Sequence, residues 1–599
     1  MRKPSPTALL ALLSAATLLF AAVVMWNGGL AGTLGTIELR SGSPWRAILI
    51  GTAAAAALTA RSLAARSVRG IRVGVALLVS AAVLALCARA GSEVWPVGDA
   101  ALIELDVLRA LEGRLLLGAY SRFGWHHPGP LPYYWLAPFY GLGGRTTASL
   151  TAGVVVTNLA CLAYVGAVLV RWRRELPWLF APALFALLLV YLARVPTLLI
   201  SPWNPHTLMF PLLALLFAAA ACLHKSPAAL LAVVFLASFV IQAHVSLAGV
   251  AGILLVWCAW RLAAQWKADP TRSRAVGRIG VGAAALFQAL WLLPLSEQLV
   301  HAPGNVTLIW QFFRGDDPRQ PLIYAWRAWS SALALVLQPG LELADGGQLV
   351  DTSHAWLVAA GTVTLLALLF AIRRARAARR LFMFRLGEVA AVASIVGLWS
   401  AVQVRGPMGD YQIFWLSMVG IVNLAIVIGE LASDALATPR VLDAVRRHHP
   451  RLVIASAVAG VAAVALVGLD QLLLPHHNPV PRAEMDTVRD LMQQLAVNLP
   501  QTGNRQPVVR LHADMWSIGA GIVLQLKRQG LETTVIKEHA WLFDDGMTTT
   551  GREDILLDIV RADAREEIAR RAMNVTLAQA HGVFVEGVSL VDAPGNRPR

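Results

Sequence analysis

The sequence is short of charge and of cysteine. Only 15% of its 599 residues are Asp, Glu, Lys or Arg, against roughly 25% in an ordinary soluble domain. That scarcity excludes a soluble globular protein for most of the length. The four cysteines, Cys87, Cys161, Cys222 and Cys258, all lie in apolar runs without metal-ligand spacing. They read as small core hydrophobes, and the polar segments have no cysteine from which to build a disulfide framework. No Walker loop and no Gly-rich dinucleotide motif after a strand is present, which argues against ATP as an energy source. The alternating ten-residue segments of an outer-membrane barrel are also missing. So is an internal repeat of the sort that marks many transporters.

What is there is apolar. Hydrophobic residues make up 57% of the chain, and mean hydropathy is +0.59. A spanning helix needs about 20 mostly apolar residues. Spans are predicted near 7–26, 45–60, 71–89, 148–170, 178–195, 207–223, 228–243, 245–260, 279–297, 355–371, 386–404, 412–431 and 452–470. The first run resembles a signal peptide but reads as a retained first helix. Net charge is +15. The arginines cluster in the short gaps 61–72, 171–174, 261–278, 373–385 and 440–451, all on the side of Arg2 and Lys3. The positive-inside rule makes that side cytoplasmic. No aromatic-basic platform accompanies the charge in a soluble segment, so nucleic acid is not an expected partner; the expected surroundings are a lipid bilayer.

The opposite side receives the loop 90–147, the loop 196–206, the stretch 298–354 and a tail from about 471. The tail changes character. "RQPVVRLHAD", "TTVIKEHA", "DILLDIVRAD" and "HGVFVEGVSLVD" read as strands, and "DTVRDLMQQLAV" and "WSIGAGIVLQLKRQG" as amphipathic helices. The expected organisation is a transmembrane domain of about thirteen helices over 1–470. A small extracytoplasmic α/β domain follows over 471–599.

Candidate functional residues gather on the outer side. "GDAALIELDVLRAL" predicts a helix that Asp99 could cap. Asp99 and Asp106 are two turns apart, so they share a face about 10 Å apart along the axis. Glu104 points elsewhere. Asp99 reads either as a cap or as a proton acceptor just after a span. In "YSRFGWHHPGP", Arg122 offers forked donors for a phosphate or carboxylate, and His126 and His127 can donate to a phosphate or exchange a proton. Trp125 and the neighbouring rings would otherwise form an interfacial belt. Trp203, Asn204 and His206 in "SPWNPHT", His244 in "IQAHVS", and Arg405, Asp410 and Tyr411 in "VRGPMGDYQIFW" sit at other outer helix ends. Polar groups there are costly enough to suggest function. Asp316 and Asp317 read first as a turn. The sequence requires no cofactor and admits a divalent metal (Mg or Mn). Asn305 and Asn574 fit the glycosylation sequon.

Together these motifs resemble the GT-C glycosyltransferases. That group includes protein O-mannosyltransferases, lipid A aminoarabinose transferases, oligosaccharyltransferase catalytic subunits and actinobacterial arabinofuranosyltransferases. The family's loop acid corresponds to Asp99 in "GDAALIELD". "FGWHHPGPLPYYW" resembles the aromatic and His-Pro segment later in that loop, and "PWNPH" resembles a loop of bacterial members. Two features depart from the pattern: Ala100 stands where many relatives carry a second acid, and spans beyond the usual one precede the loop. The resemblance implies a GT-C-like helical bundle in a bacterial inner membrane, with a cytoplasmic N-terminus and an extracytoplasmic C-terminal domain. It implies inverting transfer of a sugar from a polyprenyl-phosphate donor to an envelope glycan, lipid or protein acceptor, with Asp99 as general base. Arg122, His126, His127 and Arg405 would hold the phosphate, while Asp106, Trp203, Asn204 and His206 would position sugar or acceptor. The alternatives are a transporter or flippase of a lipid-linked sugar, and a scaffold whose tail binds partners.

Overall fold

A computed structural model describes residues 6–26, 30–34, 37–41, 45–64, 73–74, 77, 94–195, 197–268, 273–338, 354–433, 439–473, 482–502, 506–512, 514–562, 565 and 575–590. It divides into two compact units: residues 1–91, 152–291 and 316–477, and residues 92–151, 292–315 and 478–599. Among the described residues, eight helices are long and apolar enough to cross a membrane. The chain is a polytopic α-helical membrane protein with a small C-terminal sheet domain.

Three further apolar helices, Phe180–Arg194, Ala229–Ala243 and Leu416–Ala432, have 10–17 residues. A 15-residue helix reaches only about 22 Å, less than the roughly 30 Å hydrocarbon core. The predicted span 45–60 falls in helix Trp45–Ala64, and the predicted span 71–89 lies largely outside the described residues.

In the first unit, helix Met209–His224 is buried along its whole length. Helix Leu322–Leu333 is approached closely from two sides by glycines. A Cβ on Gly361 would collide with the Ser330 carbonyl, and one on Gly420 with the Leu333 carbonyl. Small residues let helix backbones meet where lipid supplies no hydrophobic drive. A hairpin of β1 (Leu30–Leu34) and β2 (Ile37–Ser41) is antiparallel.

The second unit carries a mixed sheet of β3 (Pro507–Leu511), β4 (Thr534–Val535), β5 (Ile555–Arg561), β6 (Val575–Ala580) and β7 (Val583–Ser589), in the order β4-β3-β5-β7-β6. Strand β3 runs parallel to both β4 and β5, while β7 is antiparallel to β5 and β6. The tail does not build its core alone. Val97, Ala101, Leu102 and Leu105 of helix Gly98–Leu111 share one core with Val488, Leu491, Leu495, Ile522 and Leu526. Helix Gly98–Leu111 and the tail thus contribute to one core.

Helix Gly98–Leu111 is fixed from both faces. Its apolar residues enter the shared core. Its Glu104, with no exposure, is paired with Arg528 of helix Trp516–Arg528 and accepts from Thr147 at 2.9 Å. Burial raises the Glu104 pKa, and the Arg528 charge opposes that rise. Removing one member of a buried pair strands the other charge. Arg528→Met should therefore cost about 3–5 kcal/mol, read as a drop in melting temperature of detergent-purified protein. The double variant Glu104→Leu/Arg528→Met should recover most of the loss. Equal losses in single and double variants would show that the pair is not a coupled unit.

Candidate active site

Asp99 sits in the first turn of helix Gly98–Leu111, but it does not cap it. Val97 is the N-cap, and no side-chain cap bond forms. The Asp99 carboxylate instead accepts a 2.6 Å hydrogen bond from the Tyr120 hydroxyl. Tyr120 lies at the base of a short hairpin. Its backbone bridges His126, the His127 N–H donates to Ala119 at 2.7 Å, and the Ser121 N–H donates to Trp125 at 3.0 Å. Gly124, at φ +77°, closes the turn where a side chain would be strained. Arg122 stands exposed at the tip, its guanidinium 5.4 Å from the Phe123 ring centroid.

The hairpin is held from the 292–315 segment. Asn305 Nδ2 donates to the His126 carbonyl and Asn305 Oδ1 accepts from the His126 N–H, both at 2.8 Å. The Asn305 N–H donates to Glu297. An Asn so engaged, and 4% exposed, cannot serve as a glycosylation acceptor in this fold; Asn574 lies outside the described residues. Trp125 is buried against Phe312 at 5.5 Å and edge-on to His127 at 5.6 Å.

The same unit gathers charges that the sequence leaves unpaired. Arg109, 5% exposed at its side chain, binds Asp544 at 2.8 Å. Asp106 lies 4.0 Å from Arg109. Burial pushes Asp106 up to about 8, and the nearby Asp544 charge adds to the rise; Arg109 and a hydrogen bond with Tyr133 oppose it. His126 is driven down by burial, against the attraction of Asp544 and Asp545. At neutral pH Asp106 is thus a carboxylic acid, able to donate as well as accept.

In the first unit, Trp203 meets His206 edge-on at 5.0 Å, and His206 meets Phe414 at 5.5 Å. His206 is 2% exposed, and neither ring nitrogen has a hydrogen-bond partner among the described residues. Asn204 donates to the Ala243 carbonyl at 3.3 Å. His244 accepts from the Ser246 N–H and lies edge-on to Tyr411 at 6.5 Å. Arg405 is buried, bridges Arg319 and donates to the Asp317 carbonyl at 3.0 Å. Asp410 opens the short helix Asp410–Ile413. Asp316 and Asp317 are exposed in a bend. Among the described residues no three His, Cys, Asp or Glu side chains gather as a metal-binding set. Arg109, Tyr120 and Asp544 were not singled out from the sequence, and Asn305 was marked only by its sequon. Only the turn signal "DDG" at 544–546 marks one of the first three.

No family model matches the chain, and no curated protein matches its sequence. Among solved structures it is similar to ArnT from Cupriavidus metallidurans bound to undecaprenyl phosphate, at 12% identity and a TM-score of 0.49. The apo state of the same protein gives 12% and 0.47. Each match covers 86% of this chain and 97% of the other. ArnT is a GT-C glycosyltransferase. At this identity, and with TM-scores below 0.5, the likeness assigns neither substrate nor residue role to this chain.

The protonation of Asp106 makes stability depend on pH. The folded chain holds a proton there that the unfolded chain releases near 3.8. Each rise in pH between about 4 and about 8 therefore favours the unfolded state. Asp106→Asn removes that dependence. Relative to wild type, its melting temperature should climb steadily from about pH 5 to 8, by at least about 2 °C at the upper end. Parallel curves would show that Asp106 is ionised in the native protein.

Proposed function

We propose that the chain is a GT-C-type membrane glycosyltransferase. It transfers a sugar from a polyprenyl-phosphate donor to an acceptor at the outer face of a bacterial inner membrane. In this orientation the N-terminus is cytoplasmic and the C-terminal segment extracytoplasmic. The observation that carries the reading is the Asp99 carboxylate, held by the Tyr120 hydroxyl at 2.6 Å on the hairpin that also bears Arg122 and His126. A carboxylate, a cation and an imidazole are the groups that such a transfer needs.

The donor is already activated, so no ATP is consumed. The acceptor hydroxyl oxygen attacks the anomeric carbon as the bond from that carbon to the phosphate oxygen breaks. The bonding pair leaves with the polyprenyl phosphate, and the acceptor proton passes to Asp99. Direct displacement inverts the anomeric centre. Tyr120 keeps Asp99 aimed, and general-base assistance of this type is worth about 10²–10⁴ in rate. Arg122 presents forked donors to the departing phosphate. His126, mainly neutral because burial lowers its pKa, donates one hydrogen bond without adding charge.

Purified protein in nanodiscs, offered a panel of radiolabelled polyprenyl-phosphate sugars with a membrane extract as acceptor, tests the reading. Asp99→Asn should lower transfer by about 10³-fold or more while saturable donor binding persists. Tyr120→Phe should lower kcat about tenfold. Normal transfer by Asp99→Asn would remove Asp99 from the base role. Saturable binding without any transfer by wild type would favour a carrier of the lipid-linked sugar.

A further inference from the structure

The turn 540–547 of the C-terminal segment comes to the face of helix Gly98–Leu111 that carries Asp99, Asp106 and Arg109. Two contacts place it there. Trp541 meets Tyr120 edge-on, at 6.0 Å and 70°, and Tyr120 is the residue that holds Asp99. Three residues on, Asp544 pairs with Arg109. The turn thus runs along the helix from its Asp99 end toward its Arg109 end.

We propose that this turn completes a sugar-binding subsite for the acceptor, with Trp541 as the plate beneath the sugar ring and Asp544, Arg109 and Asp106 as partners for its hydroxyls. The proposal deepens the glycosyltransferase reading and rests on it for the word acceptor. The sugar on Trp541 is beside Tyr120, so it is the one whose hydroxyl faces the base. That narrows the acceptor class from glycan, lipid or protein to a carbohydrate.

The details of the turn fit such a role. Trp541 is 45% exposed, a large indole surface in water that the C–H face of a sugar would cover. Asp544 adopts φ 75° and ψ 150°, a region occupied almost solely by glycine. Its carboxylate is aimed by Arg109 and by the Gly546 N–H, the latter at 2.7 Å. Gly546 leaves room for this: a Cβ there would stand 2.8 Å from Arg109 Nη2. The Asp106 side chain retains 20% of its exposure. Carboxyl groups and a guanidinium together offer both acceptors and donors. Adjacent sugar hydroxyls each give and take one hydrogen bond, so this trio matches a vicinal pair.

The test uses the full chain in nanodiscs against an array of immobilised bacterial envelope oligosaccharides, with undecaprenyl phosphate binding read separately. Wild type should bind particular glycans. Trp541→Ala should weaken that binding about tenfold or more, and raise the acceptor KM with kcat changed less than about threefold. Trp541→Phe should recover part of the binding. Asp544→Gly relieves the backbone strain but strands the buried Arg109 charge, so it should melt lower than wild type, and the folded protein should lose glycan binding. Undecaprenyl phosphate binding should be unchanged in all three. Glycan binding equal to wild type in both Trp541→Ala and Asp544→Gly overturns the subsite, even if Asp99-dependent transfer stands. Trp541-dependent glycan binding in a protein that uses no polyprenyl-phosphate donor upholds the subsite and overturns the donor assignment. Absence of glycan binding by wild type overturns the subsite outright.

Discussion

A buried ion pair decides where the chemistry sits. Glu104 and Arg528 lock helix Gly98–Leu111 to helix Trp516–Arg528, and apolar side chains of the same helix enter the core of the second unit. With those faces committed, the helix cannot rotate or slide. Asp99, Asp106 and Arg109 fall within about 80° of one another at 100° per residue, roughly a right angle or more away from Glu104. The cost of burying one charge pair thus fixes the orientation of three other charged groups. The shared core also accounts for the grouping of residues 92–151 with the tail from residue 478 in one unit.

Around that helix the electrostatics are arranged by competition. Two carboxylates, Asp106 and Asp544, share one guanidinium. Asp544 takes the direct contact at 2.8 Å, and Asp106 is left at 4.0 Å. The farther one, desolvated and repelled, holds its proton at neutral pH. Asp99 has a different environment, in the first helical turn and hydrogen-bonded to a phenol, which suits an anion.

Much of this layout was legible in the sequence because it follows from periodicity and composition. The strand character of "PVVRL", "ILLDIVR" and "VFVEGVS" is visible in β-branched alternation, and the helices between them in their apolar stripes. Strand β6, "VTLAQA", is mostly small or polar and alternates weakly; it becomes a strand through its pairing with β7. The two-turn spacing of Asp99 and Asp106 was likewise readable. The capping reading of Asp99 was not sound. Gly98, at φ +54°, starts the helix one residue earlier and moves Asp99 into its first turn. The pairings Arg109–Asp544 and Asn305–His126 span hundreds of residues. Nothing local distinguishes Asp544 from any other acid in a D-D-G turn, since the backbone strain that sets it apart is imposed by tertiary contacts.

The aromatic loop "YSRFGWHHPGP" shows how a polar tip can be held rigid without spending charge. Asn305 grips both backbone groups of His126 with its amide, acting as a strand one residue long. Phe312 and Phe313 pack on Trp125 behind it. Neutral hydrogen bonds and ring contacts therefore set the position of the hairpin. The Arg122 guanidinium lies 5.4 Å from the Phe123 ring centroid at the tip.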